Sequence, residues 1–520
     1  MSLYLTQGLH RAIQQTPERI ATIFGTREQT FRQYGDRVAR LAGALQKLGM
    51  AKGERVGMLA LNSDRYQEYF YATWWGGGAV NPVNFRWSAT EIAYSLDDCD
   101  TRIVLVDDQF KGVIEELKTK SKSLKTVVYV GDGEGPAGAL SYEALLAESA
   151  PIEDAGCSGA DLAAVMYTGG TTGFPKGVML SHENLGANAL TGLAEGFTNG
   201  DARALLITPM FHVAAVALMN AHAFAGGTSV IAPMFTPLGA LQIIQDRKIT
   251  HVLLVPTMVQ MAADYPDAGK FDLSSLEIMI YGASAISDAV LKRAMALFSS
   301  AGFMQAYGMT ELAPIATVMP TWYHTTEGQK ANKLRAAGRA TMICEIRIVD
   351  TEGREVPRGT VGEIAVRGPG VMLGYWNKPE MTAAAVRNGW MHTGDGAYMD
   401  EDGFVFIVDR MKDMIVSGGE NVYSAEVENA LAQHAAVAAC AVIGIPSEQW
   451  GEAVHAAVVF KQGAIATQEE LGAHCKTLIA GYKCPRSFEF RSALPVSGAG
   501  KILKTELRKP HWAGHDRNVA

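Results

Sequence analysis

The residues best suited to do chemistry form one eleven-residue run, Tyr167-Thr168-Gly169-Gly170-Thr171-Thr172-Gly173-Phe174-Pro175-Lys176-Gly177. Four glycines let the backbone take conformations that other residues avoid and let it approach a ligand closely. Successive N–H groups and the hydroxyls of Thr168, Thr171 and Thr172 can donate to phosphate oxygens, and Lys176 adds a cation. The chemistry is the grip of a phosphorylated ligand. Val178 follows Gly177, and the spacing differs from G-x-x-x-x-G-K-[ST], so this is not the loop of P-loop NTPases. A Gly/Thr surface turn is the plain alternative, and this combination directly after a predicted strand outweighs it.

Further along the chain, other segments join small residues to reactive ones. Pro209-Met210-Phe211-His212 follows a predicted strand, although a lone histidine among apolar residues is more often a core residue. Tyr281-Gly282-Ala283-Ser284 ends a strand, and its small residues would let a flat ring lie against the backbone. Gln305-Ala306-Tyr307-Gly308-Met309-Thr310-Glu311 reads as a tight turn with a helix cap and carries a carboxylate, the ligand magnesium prefers. Thr393-Gly394-Asp395 carries a carboxylate, and Asp409-Arg410-Met411-Lys412-Asp413 mixes acidic and basic residues. The glycines of Ser417-Gly418-Gly419-Glu420-Asn421 permit close backbone approach. Pro495-Val496-Ser497-Gly498-Ala499-Gly500-Lys501 sets a lysine on a Gly-rich loop.

The elements that must position these residues follow from periodicity. Ile103–Val106, Thr126–Val130, Leu162–Tyr167, Ala204–Thr208, Val252–Val255 and Glu277–Tyr281 read as buried strands. Arg37–Leu48, Leu238–Asp246 and Asp288–Phe298 carry apolar residues at helical spacing. The pattern is α/β, with helix-covered sheets. After about residue 340 it becomes β-rich, with short strands at Glu345–Val349, Val361–Val366 and Phe404–Val408. Beyond Asp409-Arg410 it turns α+β: helices Glu426–Gln433 and Glu469–Ile479, strands Val437–Ile443 and Ala456–Phe460, and an edge strand Phe488–Phe490. This gives an N-terminal domain over 1–410 and a C-terminal domain over 411–520.

Taken in order, the blocks resemble those of the adenylate-forming superfamily, which comprises acyl- and aryl-CoA synthetases, luciferases and peptide-synthetase adenylation domains. The likeness spans almost the whole chain and looks most like bacterial fatty-acyl-CoA synthetases. The usual phosphate loop has Ser where this chain has Gly169. The resemblance implies a large domain of helix-covered sheets with a β-rich subdomain, and a small mobile α+β lid hinged at Lys412. It implies ATP, Mg²⁺ and coenzyme A as ligands. Thr168, Gly169, Gly170, Thr171, Thr172, Gly173 and Lys176 would cradle pyrophosphate. Gly282, Ala283, Ser284, Ala306 and Gly308 would flank adenine, with Tyr307 stacked on it. Thr310 would contact the α-phosphate, and Glu311 with Thr168 would hold Mg²⁺. Asp395 and Arg410 would bind the ribose. His212 would gate the acyl site, Ser417, Gly418 and Gly419 would line the pantetheine channel, and Lys501 would act in adenylation.

Composition bounds the rest. With 520 residues the chain exceeds one compact core, and a net charge of −8 argues against gripping nucleic acid or anionic membrane through bulk charge. Cys99, Cys157, Cys344, Cys440, Cys475 and Cys484 are scattered without C-x-x-C, which predicts neither disulfides nor zinc and fits a cytoplasmic home. No signal peptide or membrane span is expected, though peripheral membrane contact stays open, and a homodimer is the expected assembly. The patch Lys118, Lys120, Lys122 and Lys125 reads as a solvated face. Lys483 and Arg486 read either as surface or as partners of the CoA phosphates.

The acyl-pocket candidates are His212, Val213, Val216, Tyr281, Gly282, Gly308 and Met309, with room left by Ala214 and Ala215. They hold no cation to pair a second carboxylate, so a hydrophobic monocarboxylic acid is expected: a fatty acid first, a benzoate or cinnamate second. Carrier-loading adenylation domains commonly carry Asp after Phe for a substrate ammonium. Here the equivalent is Phe235-Thr236, which lacks the charge. A luciferase-like oxygenase stays open.

Overall fold

The computed structural model describes residues 2–168, 175–284, 286–410, 413–417, 420–498 and 500–513, the Arg410 side chain excepted. Among these residues the chain forms two large sheets with a core between them, a third sheet, and a separate C-terminal sheet. The nine-stranded sheet has a parallel centre, in which Arg203–Leu206 pairs with Thr228–Ile231 and His251–Leu254, and the latter with Ile278–Gly282 and then Gly302–Gly308. In the eight-stranded sheet, Arg55–Leu59 lies between Ala79–Pro82 and Ile103–Val106 in parallel. These strands are buried on both faces, which is why they read as unbroken apolar runs; all four residues of Ile103–Val106 are buried.

The main core lies between the two large sheets, and helices His182–Ala194 and Val213–Ala225 pack against each other within it. Val213–Ala225 is apolar nearly all round, as a helix buried on every side must be. It stops at Gly226, whose φ of +79° suits glycine. The chain around this helix, the most apolar in the sequence, is therefore core, and no described helix is long and apolar enough to cross a membrane. A second core lies on the outer face of the nine-stranded sheet, under helices Pro237–Arg247 and Asp288–Leu297.

A five-stranded sheet built from Glu345–Val349, Gly362–Arg367, Val386–Arg387, Trp390–Met399 and Val405–Arg410 follows. The C-terminal sheet begins at Ile415–Ser417 and is dominated by the antiparallel pair Val437–Ser447 and Gly451–Phe460. Helices Ser424–Ala432 and Gln468–Lys476 cover one of its faces. Its other face buries Ala441, Ile443 and Ala457 against Leu507 of the terminal helix Lys504–Arg508. The sulfurs of all six cysteines are unpaired thiols.

Candidate active site

Strands Leu162–Thr168 and Lys176–Ser181 run antiparallel, with Thr168 opposite Lys176. The turn joining them carries Gly169, Gly170, Thr171, Thr172 and Gly173, which lie outside the described residues, as do Lys412, Gly418 and Gly419. What surrounds the turn is well anchored. The Tyr167 hydroxyl donates to Asp98 Oδ2 at 2.7 Å. The short strand Gly374–Tyr375 extends the sheet by pairing Tyr375 with Val178. There the Lys176 ammonium lies 5.0 Å from the Tyr375 ring centroid, and the Tyr375 hydroxyl donates to Glu311 Oε1 at 2.8 Å. Lys176 and Glu311, 135 positions apart in the chain, are therefore linked through a tyrosine that sequence reasoning had not singled out. Burial and the adjacent Glu311 charge both raise the Tyr375 hydroxyl pKa, so the hydroxyl keeps its proton and stays a donor. Glu311, 6% exposed, offers hard carboxylate oxygens of the kind magnesium prefers.

The next wall is made by the carboxyl ends of two parallel strands, the usual place for ligands in such sheets. Gly282 faces Ala306 across Ile278–Gly282 and Gly302–Gly308. A Cβ at Gly282 would fall 2.1 Å from the Ala306 carbonyl oxygen, and one at Gly308 only 1.6 Å from that of Pro314, so both positions require glycine. Ala283 turns the chain out of the strand with φ +68°. Phe303 and Met304 are buried, but every residue from Gln305 through Thr310 is half-buried, as are Ala283 and Ser284. This edge is partly open to solvent.

The Tyr307 hydroxyl donates to Asp395 Oδ2 at 2.8 Å, and Asp395 sits opposite Arg410 in the strand pair Trp390–Met399 and Val405–Arg410. The turn presenting Asp395 is held by Glu363, which accepts the Gly394 N–H at 2.8 Å and lies 2.8 Å from His392 Nδ1. Glu363 is a second positioning residue that sequence reasoning missed. Its role depends on a neighbouring strand, and no local pattern shows it.

His212 occupies the N-cap position of Val213–Ala225 without a side-chain capping bond. The segment leading to it is clamped by Asn62, which donates to the Thr208 carbonyl at 3.0 Å and accepts the Met210 N–H at 2.8 Å. His212 Nε2 is buried without a hydrogen-bond partner among the described residues. Burial first, and then the positive charges of Lys501 and Arg86, push its pKa down to about 3, so the imidazole is neutral near pH 7. The Lys501 charge is close enough to contribute because the C-terminal loop docks here. Arg86 donates to the Ser497 carbonyl at 3.3 Å, a Cβ at Gly498 would come 2.9 Å from the Asn84 side chain, and one at Gly500 would come 2.8 Å from the Thr257 hydroxyl. Gln260 adds a second tie, donating to the Ala438 carbonyl at 2.7 Å.

The remaining expectations divide. Val213 and Val216 belong to the main core, with Met309, Ala306, Tyr307 and Ala214 packed against it. Tyr281 does not join them. It lies in the second core, on the opposite face of its sheet, with its hydroxyl 2.8 Å from His324 Nε2. Strand alternation is the reason: Gly282 and Tyr281 face opposite sides. Thr236 caps helix Pro237–Arg247, accepting the Gly239 N–H at 3.0 Å, which is a structural role. Ser417 is buried and pairs with Glu420 and Gly451 inside the C-terminal sheet. Lys118 and Lys120 pair with Glu115 and Glu116 along their helix. Lys483 is engaged by Glu426 at 2.8 Å, and Arg486 stacks over Trp450 at 4.1 Å.

Comparison with known proteins agrees with this geometry. Residues 9–376 match the model of the AMP-binding enzyme family, and residues 426–501 match that of the AMP-binding enzyme C-terminal domain. A feruloyl-CoA synthase from Amycolatopsis sp is 38% identical over 500 residues, covering 96% of this chain and 97% of that protein. A medium/long-chain-fatty-acid–CoA ligase, FadD8 of Mycobacterium tuberculosis, is 34% identical, covering 98% of this chain and 90% of that protein. Among solved structures, the anthranilate CoA ligase AuaEII in complex with anthranoyl-AMP superposes with a TM-score of 0.91 at 26% identity, covering 98% of this chain and 97% of that one.

Proposed function

The chain belongs to the AMP-binding enzyme family, and we propose that it is an acid–CoA ligase acting on a hydrophobic monocarboxylic acid, a fatty acid foremost. The observation that carries this reading is the docking of the Lys501 loop onto the cleft edge beside His212. It brings the Lys501 charge near His212, which supports a catalytic role for this lysine.

In the first half-reaction a carboxylate oxygen of the acid attacks the α-phosphorus of ATP. The α–β anhydride P–O bond breaks, pyrophosphate leaves, and acyl-AMP remains. Charge accumulates on phosphate oxygens, and Lys501, Lys176, Thr310 and the 168–177 turn are the groups that offset it. Glu311, with Thr168, would hold Mg²⁺, which neutralises phosphate charge when bound. Tyr375 keeps the Glu311 carboxylate oriented. Tyr307 and Asp395, joined by their hydrogen bond, would receive adenine and ribose. In the second half-reaction the thiol sulfur of CoA attacks the acyl carbon. The thiol loses its proton, the C–O bond to AMP breaks, and acyl-CoA forms. Lys501 has no task there, and a rotation about Lys412 would bring Ser417, Gly418 and Gly419 to the cleft. The change of sheet between Arg410 and Ile415 supports a domain boundary at 410/411.

The hydrophobic side of the reading rests on Val213, Val216 and Met309 beside a neutral His212, an apolar wall that offers no cation of its own to a second carboxylate. The second reading is an aryl acid of the benzoate or cinnamate type, favoured by the feruloyl-CoA synthase relative. The test is AMP and acyl-CoA formation with Mg-ATP and CoA across fatty acids of graded length, benzoates and cinnamates. A single-peaked length profile supports the fatty-acid reading, and preference for the aromatic acids replaces it with the aryl one. Adenylate without thioester for every acid would refute CoA as the acceptor.

A further inference from the structure

The face of the C-terminal sheet that receives the terminal helix carries a cluster with no part in the scheme above. His455 lies on strand Gly451–Phe460, Glu489 on the parallel strand Ser487–Phe490, and His511 just past helix Lys504–Arg508. Register places His455 opposite Ser487 and Ala457 opposite Glu489, and period-two alternation sets His455, Ala457, Ser487 and Glu489 on one face. Leu507 packs on Ala457 from the same side, which brings His511 over the strands. One ligand atom from each of His455, Glu489 and His511 falls within 4.8 Å of the others.

His455 is 5% exposed, and its Nδ1 lies 2.7 Å from the Ser487 hydroxyl. Its Nε2 is buried with no hydrogen-bond partner among the described residues. A buried ring nitrogen without a partner is costly unless something accepts its lone pair or its proton. When Nδ1–H donates to Ser487, Nε2 is left as a bare lone pair, which is how protein ligands are set up for a metal. Arg491 lies 2.9 Å from Glu489 Oε1, and a carboxylate has a second oxygen to offer.

We propose that His455 Nε2, His511 and Glu489 form a divalent transition-metal site in the C-terminal domain, of the chemistry that takes Zn²⁺. Two imidazoles and one carboxylate, with solvent in the fourth position, suit zinc and do not suit magnesium or calcium. Zinc–ligand bonds of about 2.0–2.2 Å need the ligand atoms somewhat closer together than they are here. Glu489 and His511 are half-buried at the rim, and rotation of their side chains supplies that closure. The ion would clip the terminal segment, which begins at Lys501, to the strands beneath it.

The test uses the full chain, stripped with chelator and then titrated with Zn²⁺ by calorimetry and with Co²⁺ by visible absorption, with Mg²⁺ as the control. The expected result is one equivalent of Zn²⁺ and a Co²⁺ spectrum with imidazole ligation, insensitive to Mg²⁺, together with a Zn²⁺-dependent rise in Tm. His511→Ala and Glu489→Gln, both at rim positions where folding is not at stake, should each weaken binding by about tenfold or more and abolish the rise. Glu311→Gln should retain the equivalent, which separates this ion from one at the phosphate site. The proposal is overturned if no Zn²⁺ equivalent binds, or if the bound equivalent is indifferent to both His511→Ala and Glu489→Gln.

Discussion

The two sides of the candidate site are held in different ways. On the large domain, Lys176, Tyr375 and Glu311 are joined by a 2.8 Å hydrogen bond and a cation–π contact between buried or half-buried side chains, and the strands beneath them are fixed by sheet register. On the small domain, the Lys501 loop is set by bonds of its own, with the Ser497 N–H donating to the Lys501 carbonyl at 2.6 Å and the Gly500 N–H to the Ser497 carbonyl at 2.9 Å. Among the described residues its ties to the large domain include the exposed Arg86 and the Asn84 and Thr257 side chains near its glycines, and Gln260 holds Ala438 of the small domain. On the proposed scheme, a surface that binds ATP and then keeps its AMP portion calls for the first arrangement. A catalytic cation needed for one half-reaction and then withdrawn calls for the second.

The sharpest way to break this contrast is Lys501→Ala. Acyl-adenylate formation should fall about 10²–10³-fold, the usual cost of removing one transition-state donor, while acyl-CoA formation from supplied acyl-AMP stays close to wild type. Equal loss of both would erase the distinction. On the fixed side, Glu311→Gln should lower adenylation about a hundredfold, partly restored by excess Mg²⁺ in a magnesium titration. Tyr375→Phe keeps the ring over Lys176 but removes the bond to Glu311. It should raise the Mg²⁺ requirement about tenfold and leave Tm within a few degrees. Arg86→Ala loosens only the docking and should slow adenylation about threefold, with thioester formation from acyl-AMP untouched.

The smallest effect expected is that of pH on His212. With a folded pKa near 3 against an ordinary 6.5, the ring is neutral across pH 5–8, and the adenylation rate should show no limb from it there. Its contribution to stability is present above the unfolded value and lost as pH falls from about 6.5 toward 3. His182, His222, His251, His324 and His455, each held near pH 4 by burial, act in the same direction. Tm should therefore drop steeply between pH 6.5 and 4, and an acid-insensitive Tm would contradict the burial of these rings.

Blocks that are contiguous in the chain could be singled out in the sequence. The glycine/threonine run, the Gln305–Glu311 block and the Lys501 loop are each contiguous, and Ile103–Val106 and Glu345–Val349 are strands at the predicted bounds. Ends of elements were read less well. The helix expected from Arg37 begins at Phe31, where Thr30 and Gln33 form a capping box whose signal precedes the apolar spacing. The strands Ile20–Phe24, Arg55–Leu59 and Ala79–Pro82 are short, and no expectation covered them. Tyr281 went to the wrong face, although alternation against Gly282 held the answer. Tyr375, Glu363, Asn84 and Arg86 were missed because their partners are Glu311, Gly394, Gly498 and Ser497, and only the folded chain brings such distant positions together.

The central claim, formation of an acyl-adenylate on the enzyme, is tested most directly by exchange of labelled pyrophosphate into ATP. The account predicts exchange that depends on a hydrophobic monocarboxylic acid and on Mg²⁺, proceeds without CoA, and is lost in Lys501→Ala. Absence of exchange with every acid, or exchange only when CoA is present, would contradict it.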